Sequence, residues 1–317
     1  MNLWQKFLRA EYQWQPGQPV RRLWRLATGM LLRERATLRL PWGYPLTIDP
    51  REAIGRSIVA LNTLDLPVTE AIWRLLDDGD TCADVGANIG YMTSVMAARL
   101  HAGGTVHSFE PVPGLAAELE AHAAAWKHRT RAKLQVYRIA FTDTTGPQVF
   151  RLPAEFGRNR GLGRLAEAGA EEGAGPTGGT AEAAMAAERT FTVAGERMDA
   201  FFAATPRLAL VKIDVEGGEQ RVLAGAEALL RARRIRDLVL EEFAAPDAAA
   251  SLATLRGHGY AIFRLARGAR GPVLLAAEAN APDTFDPPAY LATSEPERAR
   301  ARFAAPGWQM LTKRPSA

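Results

Sequence analysis

Residues 82–91 read Cys82-Ala83-Asp84-Val85-Gly86-Ala87-Asn88-Ile89-Gly90-Tyr91, a short apolar run that leads into a glycine-rich turn. The apolar run predicts a β-strand, and a helical segment follows directly. Gly86 allows a sharp backbone turn with no Cβ between the chain and a ligand, and Gly90 allows the next helix to pack closely on a sheet. The stretch therefore predicts a strand–turn–helix unit of an α/β fold with a ligand at its turn.

The side chains beside this turn are acidic or polar, because Asp84 and Asn88 flank the predicted helix start. A helix N-terminus attracts negative charge, and a phosphate-binding loop would leave its amides free for the anion. The glycines do not fit the G-x-G-x-x-G spacing of dinucleotide sites, and no Gly-Lys-Ser/Thr follows as in a P-loop. This rim suits a ligand that carries amine and sulfonium positive charges.

Downstream of this turn, short apolar strands alternate with longer helical segments, which is typical of a parallel sheet in an α/β fold. The strands are predicted near 81–86, 105–109, 134–140, 208–214, 237–242, 260–265 and 272–277. The helices are predicted near 90–100, 113–127, 219–231 and 247–257. The last two strands are separated by a short turn, so they could pair antiparallel.

Two further predicted strands also end in acidic residues. Glu110 and Pro111 follow the second strand, where an acid can accept hydrogen bonds from both ribose hydroxyls. The fourth strand carries Lys212, Asp214 and Glu216, which strand alternation places on one face. A lysine near two carboxylates can shift the pKa values of all three groups, which favours general-base chemistry.

The three motifs together resemble one known family. DVGANIGY (84–91), FEP (109–111) and VKIDVEGGE (211–219) followed by VLAG are similar to the FkbM family of S-adenosylmethionine-dependent methyltransferases. Weaker similarity lies at 139–143 and 159–161, and the resemblance covers roughly residues 50–280. It implies a Rossmann-like class I methyltransferase fold with a seven-stranded, mostly parallel sheet. It also implies methyl transfer, usually to a hydroxyl of a sugar, glycolipid or secondary metabolite.

The same resemblance implies the residues of the site. The methionine end of S-adenosyl-L-methionine would lie at the first turn, the ribose at Glu110 and the adenine at the 140–143 turn. The implied cofactor-binding residues are Asp84, Gly86, Ala87, Asn88, Gly90, Glu110, Pro111, Ala140, Phe141 and Asp143. For catalysis we expect Asp214 or Glu216 as the base, with Lys212 as an orienting partner. No metal is predicted, because the histidines show no ligand spacing and Cys82 is a single cysteine.

Positive charge is concentrated at the start of the 317-residue chain, whose formal net charge is +4. Residues 1–49 are interpreted as a basic, aromatic N-terminal extension with helical character. One helix face is predicted from Val20, Leu23, Trp24, Ala27, Met30 and Leu31, with the arginines elsewhere. Packing on the main domain, homodimerisation, and contact with a membrane surface or a lipid-linked acceptor all stay open for residues 1–35. Nucleic-acid binding is the least favoured interpretation.

The remainder of the chain divides at changes of composition. Residues 50–280 are predicted to form the methyltransferase domain, interrupted at 166–188 by an Ala/Gly-rich insertion that is either disordered or a mobile lid. Residues 281–317 form a Pro-rich tail, expected to be irregular except for a helix near 297–303. No run of eighteen apolar residues occurs, so we expect a cytoplasmic protein, with peripheral membrane contact left open.

Two other function classes remain open at this stage. A nicotinamide-dependent oxidoreductase shares the strand–glycine–strand–glutamate layout, although the glycine spacing argues against it. A non-catalytic protein could also keep a methyltransferase fold and bind a membrane or a partner. We expect the acceptor to be a small molecule or a glycan.

Overall fold

The fold is taken from a computed structural model that describes residues 10–15, 17–166, 189–241, 245–268, 270–279 and 288–312. The insertion predicted at 166–188 lies outside these residues except for Ala166. Its two interpretations, disorder and lid, therefore stay predictions. The first nine residues of the N-terminal extension also lie outside the described part.

Within the described residues, the strands are β1 (Ala36–Arg39), β2 (Pro45–Ile48), β3 (Thr81–Val85), β4 (Thr105–Phe109), β5 (Lys133–Tyr137), β6 (Ile139–Phe141), β7 (Gly146–Leu152), β8 (Arg164–Leu165), β9 (Arg189–Glu196), β10 (Leu208–Ile213), β11 (Ile235–Glu241), β12 (Ala261–Gly268), β13 (Gly271–Ala276) and β14 (Ala289–Thr293). The helices are α1 (Ala10–Gln13), α2 (Gln18–Ala27), α3 (Ala53–Leu61), α4 (Leu66–Leu75), α5 (Tyr91–Arg99), α6 (Pro113–Trp126), α7 (Met198–Phe201), α8 (Glu219–Gly225), α9 (Glu227–Arg231), α10 (Ala245–Gly257), α11 (Pro296–Ala304) and α12 (Gln309–Thr312). Short 3₁₀ turns occupy Met30–Leu32 and Ala154–Gly157.

The main sheet has eight strands in the order β13-β12-β14-β11-β10-β3-β4-β5. Its centre is the parallel run from β11 to β5, as the alternation of strands and helices predicted. Every residue of β10 and β11 is buried, because helices cover both faces of this sheet. Leu210 and Val211 accordingly belong to two different buried apolar clusters, one on each face.

The eighth strand arises because the chain after residue 280 is not an irregular tail. β14 lies inside the sheet, antiparallel to both β11 and β12, and Leu291, Ala292 and Thr293 are fully buried. The predicted boundary between a domain ending at 280 and a tail at 281–317 is therefore wrong. The predicted helix near 297–303 is present as α11, and β12 and β13 pair antiparallel.

A buried ion pair on α4 holds this C-terminal segment in place. Arg74 and Glu70 are both fully buried, with Arg74 Nε 2.6 Å from Glu70 Oε1. The Arg74 guanidinium also donates to the carbonyl oxygens of Arg302, Ala305 and Gly307 at 2.6–2.8 Å. The Glu70 carboxylate accepts the backbone N–H groups of residues 309 and 310. Charged hydrogen bonds thus anchor the described residues after β14, which form no strand and pair with no sheet.

A second, four-stranded sheet in the order β6-β9-β7-β8 was not predicted. The strand predicted at 134–140 divides at Arg138, so that β5 joins the main sheet and β6 pairs parallel with β9. β7 pairs antiparallel with β9, and β8 extends β7. The small sheet brings the loop at 153–163 over the carboxyl ends of the main strands, where it contributes to the site described below.

The helix of the N-terminal extension is shorter than its apolar periodicity predicted. The helix predicted over 20–31 ends at Ala27, since Gly29 adopts a left-handed conformation and Met30 turns into the core. The other side of α2 is polar and faces the protein, where Arg25 donates to Val59 O at 2.9 Å and Gln18 donates to Ala60 O at 3.1 Å. No helix within the described ranges is both long enough and apolar enough to cross a bilayer.

We expect Arg74→Met to lower the free energy of unfolding by about 3–5 kcal/mol, because Glu70 would keep a buried charge without its partner. Urea unfolding followed by circular dichroism measures this loss. Arg231→Met is the matched control, since Arg231 pairs with Glu227 on the surface and its loss should be within about 0.5 kcal/mol. Similar losses in both variants would show that the buried pair does not hold the C-terminal segment.

Candidate active site

A cavity of about 260 Å³ lies at the carboxyl ends of β3, β4 and β10, where open α/β sheets bind ligands. The βα turns after these strands form its floor, and the loop at 153–163 and the start of α3 form the opposite wall. The sequence-predicted residues in its wall are Gly86, Ala87, Asn88, Glu110, Pro111, Ala140, Phe141, Lys212, Asp214 and Glu216. The other three predicted residues, Asp84, Gly90 and Asp143, lie elsewhere.

Glu110 is fixed at the end of β4 by the backbone. Its Oε2 accepts the N–H of Asn88 at 2.9 Å, and its Oε1 accepts the N–H of Val112 at 2.8 Å. Burial raises the pKa of Glu110 to about 7, although these two hydrogen bonds favour the ionised form. A carboxylate has about four acceptor positions, so Glu110 keeps capacity for further donors from a ligand.

The two glycines of the first turn permit close packing of neighbouring elements, and Gly86 also lines the cavity. A Cβ on Gly86 would lie 1.8 Å from the carbonyl oxygen of Asp214, so Gly86 permits the close approach of the turns after β3 and β10. A Cβ on Gly90 would lie 2.4 Å from Leu119 Cδ1, so Gly90 makes room for α6. Gly90 is not among the residues that line the cavity, and the predicted contact of Gly90 with the cofactor stays a prediction.

Asp84 lies beneath the first turn rather than at the cavity. Its side chain has no exposed surface, and its Oδ2 accepts the hydroxyl of Thr93 at 2.6 Å. Burial raises the pKa of Asp84, and the nearby charge of Lys212 opposes that rise. Asp84 is not among the residues that line the cavity, although Val85 next to it is, and the implied contact between Asp84 and the methionine end of a cofactor stays a prediction.

Asp143 is also directed away from the cavity. Its Oδ1 accepts hydrogen bonds from Thr142 Oγ1 at 2.8 Å and from Arg221 Nε at 3.0 Å. The hydrogen bond from Thr142 and the Arg221 guanidinium together lower the pKa of Asp143. Ala140 and Phe141, which precede it on β6, do line the cavity. Asp143 therefore links β6 to α8 through Arg221, and its predicted role in adenine binding stays a prediction.

Lys212 is the charged centre of the floor. Its Nζ lies 2.9 Å from Asp214 Oδ2, 3.9 Å from Asp84 Oδ1 and 3.5 Å from the carbonyl oxygen of Gly86. Burial opposes its charge, but attraction to Asp214, Asp84 and Glu241 raises its pKa above the ordinary value. The predicted proximity of Lys212 and Asp214 is confirmed, and the ion pair fixes the Asp214 carboxylate at the cavity.

Glu216 occupies a strained position in the turn after β10. Its φ is +55°, in the left-handed region that few residues other than glycine adopt. Its Oε1 would lie 3.4 Å from a Cβ on Gly161, so its carboxylate faces the loop at 153–163 across the cavity. Burial raises the pKa of Glu216 to about 7, and the neighbouring charge of Asp214 adds to the shift. A carboxylate in this state can accept a proton near neutral pH.

Sequence reasoning missed Glu241, the last residue of β11. Glu241 lines the cavity and is almost fully buried. Burial raises its pKa, with further contributions from Asp65 and Asp214 and an opposing one from Lys212. Glu241 lies near the end of a predicted strand, and the same pattern had identified Glu110 as a candidate site residue.

The loop that carries Asn159, Arg160 and Gly161 lines the cavity as well. Asn88 Nδ2 donates to the carbonyl oxygen of Arg160 at 3.1 Å, and Arg160 forms an ion pair with Glu118 at 2.7 Å. These contacts connect the second sheet to the first turn. Among the described residues, no group of three or more His, Cys, Asp or Glu side chains is arranged to hold a metal ion.

We expect Lys212→Met to lower the free energy of unfolding by about 3–5 kcal/mol, because Asp84 and Asp214 would lose their shared cation. Without the ammonium the folded-state pKa of Asp84 rises further above its unfolded value. A carboxyl group with a raised folded pKa stabilises the fold when protonated, and this stability is lost as pH rises through that pKa. The loss should therefore be smaller in mildly acidic buffer than in mildly alkaline buffer.

Urea unfolding in the two buffers measures the difference. Asp84→Asn added to Lys212→Met removes one of the two unpaired charges and should recover part of the stability. The same loss in both buffers, with no recovery in the double variant, would contradict an electrostatic role for Lys212.

Comparisons with known proteins agree with the motifs. Residues 84–262 match the family model described as the methyltransferase FkbM domain. The 31-O-demethyl-FK506 methyltransferase FkbM of Streptomyces tacrolimicus is 34% identical over 200 residues, covering 59% of this chain and 75% of that protein.

Solved structures that match are more distant in sequence. Fibrillarin of Aeropyrum pernix, solved with natively bound S-adenosyl-L-methionine, is 12% identical, with 82% of this chain and 94% of that chain covered at a TM-score of 0.35. A SAM-dependent O-methyltransferase of Thermotoga maritima is 12% identical, with 83% and 86% covered at a TM-score of 0.36. The assignment rests on the family model and the Streptomyces relative: this chain belongs to the FkbM family of methyltransferases.

Proposed function

We propose that this methyltransferase binds S-adenosyl-L-methionine in the cavity and methylates a hydroxyl oxygen of a small-molecule or glycan acceptor. The observation that carries the proposal is Glu110, a buried carboxylate at the end of β4 that is oriented by two backbone N–H groups beside the Gly86–Asn88 turn. Carboxylates in this position of an α/β sheet accept hydrogen bonds from ribose hydroxyls.

The residues of the cavity suit this cofactor in charge and shape. Acidic side chains outnumber basic ones in the cavity wall, which favours a cationic sulfonium ligand. The acids are Asp65, Glu110, Asp214, Glu216 and Glu241, and the bases are Lys212 and Arg160, of which Arg160 is paired with Glu118. Phe141 and Pro111 provide apolar wall on the side of Glu110 where the adenine would lie. Asp84, Gly90 and Asp143 would support the site from behind rather than contact the cofactor.

When bound, S-adenosyl-L-methionine supplies an electrophilic methyl group. The chain must hold an acceptor hydroxyl in line with that group and remove its proton as the new C–O bond forms. Alignment of this kind contributes roughly 7–11 kcal/mol in well-oriented reactions. General-base assistance adds on the order of 10²–10⁴-fold.

Glu216 is the better of the two predicted bases. The Asp214 carboxylate is already engaged in an ion pair with Lys212, whose Nζ lies 2.9 Å from Asp214 Oδ2. Glu216 has a pKa of about 7 and faces the loop at 153–163 across the cavity. We therefore assign proton removal to Glu216 and the positioning of the cavity floor to Asp214 and Lys212.

Oxygen as the methylated atom is supported by the name of the Streptomyces relative, which specifies a 31-O-demethyl substrate. Incubation with methyl-labelled S-adenosyl-L-methionine and a panel of hydroxylated polyketides and sugars tests this proposal. Mass spectrometry should locate the label on an acceptor oxygen. Label recovered only on nitrogen or carbon would contradict it.

The affinity for S-adenosylhomocysteine should depend on the protonation of Glu110. The free carboxyl has a pKa of about 7, and ribose hydroxyls bind the ionised form, so each pH unit below about 7 should weaken binding about tenfold. Glu110→Gln should weaken binding about ten- to a hundredfold at neutral pH and remove this pH dependence. Calorimetry over this pH range measures both effects, with NAD as a ligand expected not to bind. Unchanged affinity in Glu110→Gln would place the ribose elsewhere.

Catalysis should depend on Glu216 in a different way. Glu216→Gln should lower kcat by about 10²–10⁴-fold while the Kd for S-adenosylhomocysteine stays nearly unchanged. In the unsubstituted protein kcat should fall below a pH of about 7, as Glu216 becomes protonated. Glu155→Gln is the matched control, because Glu155 is exposed on the 3₁₀ turn outside the cavity wall. Full activity in Glu216→Gln would exclude Glu216 as the base.

A further inference from the structure

Helix α2 presents its apolar face to solvent. Val20, Leu23 and Trp24 are 69%, 67% and 62% exposed. Gln18 and Arg25, on the opposite face, are buried against the last turn of α3. A surface helix of a globular protein normally has the reverse arrangement, with its apolar stripe toward the core. The polar anchoring to α3 therefore fixes an apolar surface outward.

This surface accounts for nearly all of the large exposed apolar side chains in the described residues. They are Val20, Leu23, Trp24, Leu32, which is 84% exposed, and Val273, which is 36% exposed and lies on β13. Four of these five therefore lie on α2 and the 3₁₀ turn that follows it. A concentrated apolar patch of this kind marks an interaction site rather than ordinary surface variation.

Charge around the patch identifies the partner. Residues 17–35 contain five arginines and one acidic residue, Glu34, which pairs with Arg51 at 3.3 Å. Arg21 and Arg33 are exposed beside the apolar face, and the Arg35 side chain is 66% exposed. A second copy of the chain seated on this face would bring two basic surfaces together. An anionic lipid surface instead supplies both an apolar layer and the opposite charge.

We propose that α2 and the Met30–Leu32 turn dock this protein on anionic lipid bilayers. Val20, Leu23, Trp24 and Leu32 enter the boundary between headgroups and acyl chains, and the flanking arginines contact the headgroups. Arginine stems can lie along apolar surface while their guanidinium groups remain at the phosphates.

Docking would also bring the cavity close to the membrane. The carbonyl oxygens of Val59 and Ala60, at the end of α3, accept the hydrogen bonds from α2. Ile54 and Ser57, nearer the start of the same helix, line the cavity. α3 has nine residues and a length of about 13 Å, so a single short helix separates the docking surface from the site.

Co-sedimentation of the full chain with vesicles tests the proposal. We expect binding to vesicles that contain phosphatidylserine, weaker binding to phosphatidylcholine alone, and a decrease with added salt. The triple variant Val20→Ser, Leu23→Gln and Trp24→Gln should bind about tenfold more weakly or less. Val273→Gln is the matched control, because it removes an exposed apolar side chain from β13, and it should bind as the unsubstituted protein does.

Tryptophan fluorescence gives a second measurement, which uses a different variant and so does not depend on whether the triple variant folds. Trp24→Phe keeps the apolar face, so it should still bind. It should lose part of the tryptophan quenching that brominated lipids cause in the unsubstituted protein, since an inserted Trp24 lies within reach of the bromine atoms.

Three results would overturn the proposal. The first is no binding to phosphatidylserine vesicles at low salt. The second is equal binding by the triple variant, which would indicate attraction to any polyanion, nucleic acid included. The third is a dimer in solution that the triple variant dissociates, which would assign the apolar face to a second copy of the chain.

Discussion

The buried ammonium group of Lys212 is the interaction on which the cavity depends. It lies within 4 Å of carboxylate oxygens on both Asp84 and Asp214, which belong to neighbouring strand ends. Without this cation, several carboxylates buried at one sheet edge would either become protonated or stay charged. In the charged state their mutual repulsion would open the turns. One cation allows β3, β10 and β11 to end in acids and still pack in register.

The acidic floor determines which chemistry the cavity suits. Glu110 and Glu216 both have pKa values of about 7, so small changes in their surroundings decide their charge near neutral pH. Each reaches this state through burial, and backbone N–H groups of Asn88 and Val112 hold the Glu110 carboxylate. Asn88 and Glu216, which both line the cavity, adopt positive φ angles, so the turns after β3 and β10 carry backbone strain.

Local patterns predicted the central strands and the βα turns that form the floor of the cavity. β3, β4 and β10 are short apolar runs that end in acids and glycine turns, and each signal lies within a few residues of chain. β14 could not be predicted in this way, since its neighbours β11 and β12 are distant in sequence and Pro-rich segments surround it. The second sheet was missed for the same reason, because β6 and β9 pair across the whole insertion.

The sequence by itself determined the family, the α/β order and the acids at the strand ends, because these depend on residues adjacent in the chain. Only the tertiary structure decided which acids reach the cavity. Asp84 lies within β3, in register with Ser108 of β4, and is covered by α5 through Thr93, whereas Glu110 follows the last residue of β4 and lines the cavity. The tertiary structure also decided which face of α2 is buried. The amphipathic pattern defines a polar and an apolar face, and the hydrogen bonds to the α3 carbonyl groups show that the polar face turns inward.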